Sequence, residues 1–132
     1  RASSPGRCRA IPACSPSGDV VVYSGPDVGT TFSVRAVRAD GRALPHPVIT
    51  LTRGARHVAF LPDGRSLVVL RGEIAHKDLW VVDLETGAER PMTSLPPDFS
   101  AGDFDLSADG KELLLERTQQ QSDIVLIERP RR

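Results

Sequence analysis

Short apolar runs and glycine turns alternate along this chain with a period of 46 residues. Gly18, Gly64 and Gly110 each close a turn sequence, and an apolar run follows each of them. These runs lie at 20–23, 67–70 and 113–115. Runs this short, rich in β-branched and aliphatic residues and bounded by glycine turns, predict strands that are buried on both faces. A fixed period of this size indicates stacked copies of one supersecondary unit.

Each unit contains further segments with the character of a strand. Before the turn, residues 58–60 and 104–106 carry apolar side chains at every second position, which is the period of a strand. Later apolar stretches lie at 32–37, 79–84 and 124–127, and a fourth segment lies at 49–52 and 91–93. The third unit reaches the end of the sequence without its fourth segment. Helical periodicity is absent at useful length, and 11 Gly and 11 Pro indicate many turns.

An antiparallel unit of four strands that repeats every 40 to 50 residues or so is typical of a β-propeller blade. An immunoglobulin-like sandwich does not repeat at a fixed period, and a parallel β-helix has shorter coils and few hairpin turns. We therefore predict an all-β fold, a partial β-propeller of three antiparallel blades with three to four strands each. The blades are predicted at about 10–52, 53–97 and 98–132, within one domain that spans residues 1–132.

The second unit reads LPDGRSLVVL at 61–70 and DLWVVDLETG at 78–87, and the third reads SADGKEL at 107–113 and DIVLIE at 123–128. These segments resemble the WD-like repeat of TolB-type β-propellers. The resemblance covers about residues 56–129 well and 15–52 moderately. It implies the propeller fold and, since that family spans periplasmic accessory proteins, peptidase propellers and bacterial sensor domains, a bacterial protein in an extracytoplasmic or periplasmic compartment.

Three units fall short of the four to eight blades that a closed propeller needs, and TolB-type propellers have about six. Half a ring leaves one open blade face on either side, and such faces invite pairing. Two interpretations stay open. The chain is the C-terminal half of a larger propeller, which the absence of an initiator Met favours, or two copies close a six-bladed ring as a homodimer around a two-fold axis.

Three residues are the candidate partner-binding site: Asp103, Asp105 and His57. The two aspartates are two positions apart on a predicted strand and therefore share a face. The matching positions in the second unit are His57 and Ala59, so the acidic pair is peculiar to the third unit. Paired carboxylates can do acid–base chemistry, bind a cation or accept a basic partner. The alternative is that they line the solvated channel at the centre of a propeller.

The third turn also has the oxygen spacing of a calcium loop. Its candidate ligands are Asp105, Ser107, Asp109 and Glu116. The matching turns at 15–18 and 61–64 lack such a set, and a strand is predicted at 113–115 where an EF-hand has a helix. We therefore interpret this segment as a turn and predict no metal site.

The two cysteines allow two interpretations. Cys8 and Cys14 can form a disulfide that closes a short loop. Cys14 also aligns with Phe60 and Leu106 through the 46-residue shift, which indicates a position in the core. We predict a free, buried Cys14 thiol, and we likewise assign Trp80 to the core because it lies in a predicted strand.

The remaining features exclude several classes of function. The 17 basic and 17 acidic residues balance, and no apolar stretch approaches the roughly 20 residues of a membrane span, so we predict neither nucleic-acid binding nor membrane insertion. No nucleophile elbow or phosphate loop is present, and we predict no cofactor and no catalysis.

The predicted function is a non-catalytic module that binds or senses a protein, peptide or ligand through loops at 26–30, 71–77 and 118–122. One alternative is the regulatory propeller of a hydrolase or peptidase, and another is a self-associating structural half-propeller.

Overall fold

The computed structural model describes residues 13–24, 31–52, 57–73, 76–118 and 124–128, which form three antiparallel β-sheets and no helix. Sheet 1 contains β1 (Ala13–Cys14), β2 (Val20–Ser24), β3 (Thr31–Arg38) and β4 (Thr50–Thr52). Sheet 2 contains β5 (Val58–Phe60), β6 (Ser66–Gly72), β7 (Lys77–Asp83) and β8 (Glu89–Pro91), and sheet 3 contains β9 (Ser100–Leu106) and β10 (Leu113–Thr118). The predicted all-β class is confirmed.

The first hairpin of each sheet has the same register. Corresponding cross-strand pairs, each 46 residues from the next, are Ala13–Val22, Ala59–Val68 and Asp105–Leu114. In each turn the glycine N–H donates to the carbonyl oxygen three residues earlier, at 2.9, 3.1 and 2.9 Å. The glycines have φ values of 80°, 71° and 72°, a region that residues with a Cβ adopt only at a cost. The predicted turns at 18, 64 and 110 are therefore tight glycine turns.

Sheet 2 is buried on both faces, as its apolar run predicts. Leu67 and Val68 are neighbours in β6, point to opposite faces and are both 0% exposed. Leu67 packs into a cluster that includes Val22 and Ile49 of the sheet 1 region. Val68 packs into a second cluster that includes Phe104 of sheet 3. The three sheets are therefore stacked in chain order, with sheet 2 between the other two.

The prediction of two buried faces is wrong for sheet 3, and also for sheet 1, where Val21 is half-buried and Tyr23 is exposed on the face opposite Val22. Leu114 occupies the position of Val68 in its hairpin, yet 75% of its surface is exposed. In the described part of the chain, no further sheet lies over this side of β10. An apolar residue is buried only where a neighbouring element covers it, and the local sequence pattern does not report that neighbour.

The predicted strand at residues 124–127 is also wrong. These four side chains are between 75% and 100% exposed, and the segment joins no sheet. Sheet 3 therefore has two strands among the described residues, where three were predicted. The equivalent β7 of sheet 2 gains its stability from burial between sheets 1 and 3, and the outer side of sheet 3 offers no comparable burial.

Two smaller predictions need correction. β8 occupies 89–91, two residues earlier than predicted, because Glu89 pairs with Val82 in the register of sheet 2. Cys14 is disulfide-bonded and half-buried, so the predicted free thiol is wrong, although Cys14 does lie in β1 opposite Val21. The one other cysteine of the sequence, Cys8, lies outside the described residues.

Candidate functional site

The topology separates two ends of the stacked sheets. Antiparallel strands reverse at each turn, so the glycine turns at 18, 64 and 110 lie together at one end, which we call the turn end. The start of β5, the β6–β7 connection and residues 92–100 lie at the opposite end, which we call the loop end. Turn 110 approaches turn 64 closely enough for Gly110 to face Pro62. The turns of sheets 2 and 3 therefore pack against each other.

At the loop end, the structure brings two of the predicted site residues together. His57 Nδ1 lies 3.3 Å from Asp103 Oδ1, and the His57 ring meets the Phe104 ring edge-on with centroids 4.6 Å apart. The His57 side chain is 19% exposed and that of Asp103 is 57% exposed. This contact joins sheet 2 to sheet 3 at their first strands. A protonated His57 would make it an ion pair.

The two aspartates of β9 accept hydrogen bonds from backbone N–H groups of their own strand. Asp103 Oδ1 accepts the N–H of Phe104 at 2.8 Å, and Asp105 Oδ1 accepts the N–H of Leu106 at 2.9 Å. The backbone N–H of Ser107 donates to the Glu112 carbonyl oxygen across the hairpin. Because the N–H groups of successive residues point to opposite sides of an antiparallel strand, those of Phe104 and Leu106 point away from β10.

The two carboxylates thus occupy the edge of β9 that pairs with no strand among the described residues. Unpaired edge N–H groups recruit foreign strands, and a charged side chain at that edge opposes such pairing. The matching positions of the first two units, at 11, 13, 57 and 59, carry no aspartate.

The calcium-like segment is occupied by its own hydrogen bonds. Asp109 Oδ1 accepts from the Ser107 hydroxyl at 2.6 Å and from the Lys111 N–H at 3.0 Å. The hydroxyl, followed by the backbone N–H, holds the pKa of Asp109 below its usual value. The chain continues into β10 rather than a helix, and the described residues contain no group of three or more metal-ligating side chains. This segment is a turn.

A cleft opens at the loop end, on the face of sheet 2 that is turned towards sheet 1. Its volume is about 550 Å³. The lining residues are Arg71, Gly72, Glu73, His76, Asp78, Trp80 and Glu89. Asp78 and Trp80 lie two positions apart on β7, on the same face as the core residue Val82. The cleft therefore lies on the same face of sheet 2 as the core residues, nearer the loop end, where charged side chains take the place of apolar ones.

Arg71 closes the cleft towards sheet 1. Its guanidinium forms an ion pair with Glu89 on β8, and its Nη2 donates to the Thr50 carbonyl of β4 at 3.2 Å. Its Nε is buried and has no hydrogen-bond partner among the described residues. Both terminal nitrogens of Arg71 are thus engaged, one within sheet 2 and the other across the interface to sheet 1.

His76 and Asp78 tie the cleft to the segment that leads into sheet 3. Asp78 Oδ1 accepts from the Thr93 hydroxyl at 3.1 Å and from the Leu95 N–H at 2.7 Å. The Phe99 carbonyl lies 3.1 Å from His76 Nδ1 and can only accept, so that nitrogen carries a proton. His76 Nε2 lies 3.5 Å from Asp78 Oδ2. The hydrogen bonds of Asp78 Oδ1 and His76 Nδ1 hold the wall of the cleft in place.

Part of this site was predicted from the sequence. The predicted binding loop at 71–77 contributes Arg71, Gly72, Glu73 and His76 to the lining of the cleft. The loop at 26–30 lies outside the described residues, as do residues 119–122 of the third loop. Trp80, which was predicted to lie in the core, is half-buried and also lines the cleft. Arg71, the first residue of that loop at 71–77, had a further signal, because it continues the alternation of Leu67 and Val69 as a charge on a buried face. Asp78 and Glu89 are the lining residues that were not predicted.

Among the described residues, His57, Asp103 and Asp105 do not line the cleft. Comparison with models of known protein families and with curated proteins found no match. No helix in the described part of the chain is long and apolar enough to cross a membrane.

Proposed function

We propose that the three sheets are successive blades of a TolB-like β-propeller, and that the chain is a non-catalytic binding or sensing module. Three observations support the propeller: the recurring hairpin register, the burial of sheet 2 on both faces, and the contact between the first strands β1 and β5. Strands of adjacent blades approach each other in this way around a propeller axis.

The cleft is the observation that carries the binding role. It combines an aromatic ring, ionic groups and an opening of about 550 Å³, which is the size of many small-ligand sites. It also lies on a sheet that is held on both faces, and binding residues concentrate on connections that such a rigid scaffold positions.

Two further observations bear on the kind of module. The carboxylates of Asp78, Asp103 and Asp105 all accept hydrogen bonds from their own chain, which supports binding rather than acid–base catalysis. The disulfide at Cys14 is typical of oxidising compartments and supports an extracytoplasmic or periplasmic location in a bacterium. We propose that the chain is the sensing part of a longer bacterial signalling protein.

Peptide selection tests the binding role. We expect peptides selected from a random library on the folded chain to bind at the loop end, since that end carries the cleft. In NMR titration, selected peptides should shift the backbone amide resonances at 71–73, 76–78, 93–95 and 98–99, and leave those of Gly18 and Gly64 at the turn end unchanged. Selection that yields no binder, or binders that shift only the turn end, would contradict this role.

A self-associating half-propeller is the second candidate, because apolar surface is exposed at sheet 3. Leu114 and residues 124–127 supply it. If two copies close a ring, the molar mass from light scattering should rise from about 14 to about 29 kDa over a concentration series. The change Leu114→Asp should hold the mass at the monomer value, whereas Glu112→Gln at the turn end should not. A monomer at every concentration would exclude self-closure.

A further inference from the structure

The cleft is negatively charged in a chain whose formal net charge is zero. With histidine counted as neutral, the described residues of its lining carry one positive charge and three negative charges. These are Arg71 against Glu73, Asp78 and Glu89. The charge is therefore concentrated at this site rather than inherited from the whole chain, and it favours a cationic ligand.

The three carboxylates of the cleft differ in how far other groups of the chain already pair with them. Glu89 is paired with Arg71, so these two groups neutralise each other. Asp78 accepts two hydrogen bonds at Oδ1, from uncharged donors. Its Oδ2 lies 3.5 Å from His76 Nε2 and retains lone pairs for a further donor. Glu73 is exposed, and no ion pair joins it to Arg71 or His76. Glu73 and Asp78 therefore supply the charge that a ligand would meet.

An anionic ligand fits this arrangement poorly. Among the described lining residues Arg71 is the one arginine or lysine, and its two terminal nitrogens already contact Glu89 and the Thr50 carbonyl. An anion would have to displace one of these contacts and would meet the three carboxylates as well.

Trp80 adds an aromatic surface to the same cleft. Cations of lysine and arginine side chains are attracted to the face of an aromatic ring, and most strongly to tryptophan. Trp80 is half-buried, so its ring is held against the core while part of it remains accessible from the cleft. An aromatic wall beside two carboxylates is an arrangement that suits an alkyl ammonium or a guanidinium group.

We infer that this cleft binds the side chain of an arginine or lysine that a partner polypeptide presents at the loop end. The cationic group lies near Glu73 and Asp78, and the aliphatic part of the side chain lies along Trp80. This inference rests on the proposed binding role and names the chemistry of the partner. The partner is a polypeptide with an exposed basic residue.

The single tryptophan of the chain gives a direct readout. The probes are N-acetyl-arginine methylamide, the corresponding lysine compound, and N-acetyl-citrulline methylamide, which matches arginine in shape and lacks its charge. We expect the arginine or the lysine probe to change Trp80 fluorescence and its indole N–H resonance saturably, and citrulline to have no such effect. The affinity should fall as salt is added, because the contacts are between charges near the surface.

Matched variants locate the site. Glu73→Gln removes a charge at the cleft, whereas Glu112→Gln removes an exposed charge at the turn end and is the control. We expect the first change to weaken binding of the arginine probe about two- to fivefold, the range for an exposed ion pair, and the second to leave it unchanged. Both residues are exposed, so neither change is expected to impair folding.

Three results would overturn the inference: citrulline acting like arginine, Glu73→Gln and Glu112→Gln behaving alike, or spermidine binding while both amino-acid probes fail. The last result would identify a polyamine site. If any of these results is found while selected peptides still bind the loop end, the proposed binding role stands and the inference that the ligand is a basic side chain is wrong. If peptide selection also fails, both proposals are wrong.

Discussion

Replacing Val68 by aspartate is expected to prevent the chain from folding. Val68 is 0% exposed and packs among Leu70, Leu79 and Phe104 between sheets 2 and 3. A carboxylate there would be buried with apolar neighbours, and a buried, unpaired charge lowers the free energy of unfolding by more than about 4 kcal/mol. That is comparable with the whole stability of a small domain. Circular dichroism and urea unfolding measure the loss.

Leu114→Asp is the matched control, because Leu114 occupies the same place in its hairpin 46 residues later. It is 75% exposed, so we expect a change within about 0.5 kcal/mol. The milder pair Val68→Ala and Leu114→Ala keeps the comparison measurable if Val68→Asp leaves no folded protein. If Val68→Ala and Leu114→Ala lowered the free energy of unfolding equally, the exposure of this side of sheet 3 would be contradicted, and another surface would have to cover it in solution.

Gly110→Ala is expected to lower the free energy of unfolding by about 2–5 kcal/mol, from two separate causes. Gly110 has a φ of 72°, which strains a residue with a Cβ. In addition, the new Cβ would lie 2.8 Å from Cδ of Pro62, in the turn of the preceding unit. The second cause acts between units, so the measured loss reports on how the turns of sheets 2 and 3 pack together.

Gly18→Ala separates the two causes. Gly18 has a φ of 80°, but among the described residues no atom lies within 4 Å of the position of its Cβ. We expect a loss of about 1–2 kcal/mol from backbone strain alone. In a Pro62→Ala background the excess cost of Gly110→Ala should shrink, since the two changes share one contact. Equal costs at Gly18 and Gly110 in the native background would show that the turns do not press on each other.

The hairpins were the part of the fold that sequence could predict. Their strands are short, and their turns need a glycine at one position, so the signal is local and lies within about ten residues. The common register of the three hairpins follows from those glycines. The next hairpin of each sheet, β2–β3 in sheet 1 and β6–β7 in sheet 2, departs from the 46-residue spacing. Val22 pairs with Ala36, but Val68 pairs with Val81, which is one residue earlier than the 46-residue shift requires.

The candidate site was predictable only in part. His57 and Asp103 were selected from their matching positions in the repeat, and they do meet, at 3.3 Å. The cleft was not foreseen beyond its loop, because Arg71, Trp80 and Glu89 come from three different strands. Their assembly depends on cross-strand pairing and on Thr50 of sheet 1, and no local pattern contains that information.

The amino-acid sequence by itself determined the elements: all-β structure, tight turns at Gly18, Gly64 and Gly110, and a hairpin around each turn. Backbone preference and apolar alternation act over a few residues and can be read directly from the chain. Only the tertiary structure decided which surfaces are buried. Val68 and Leu114 have the same local signal, but a neighbouring sheet covers the first and leaves the second exposed, since burial is a property of two surfaces that meet.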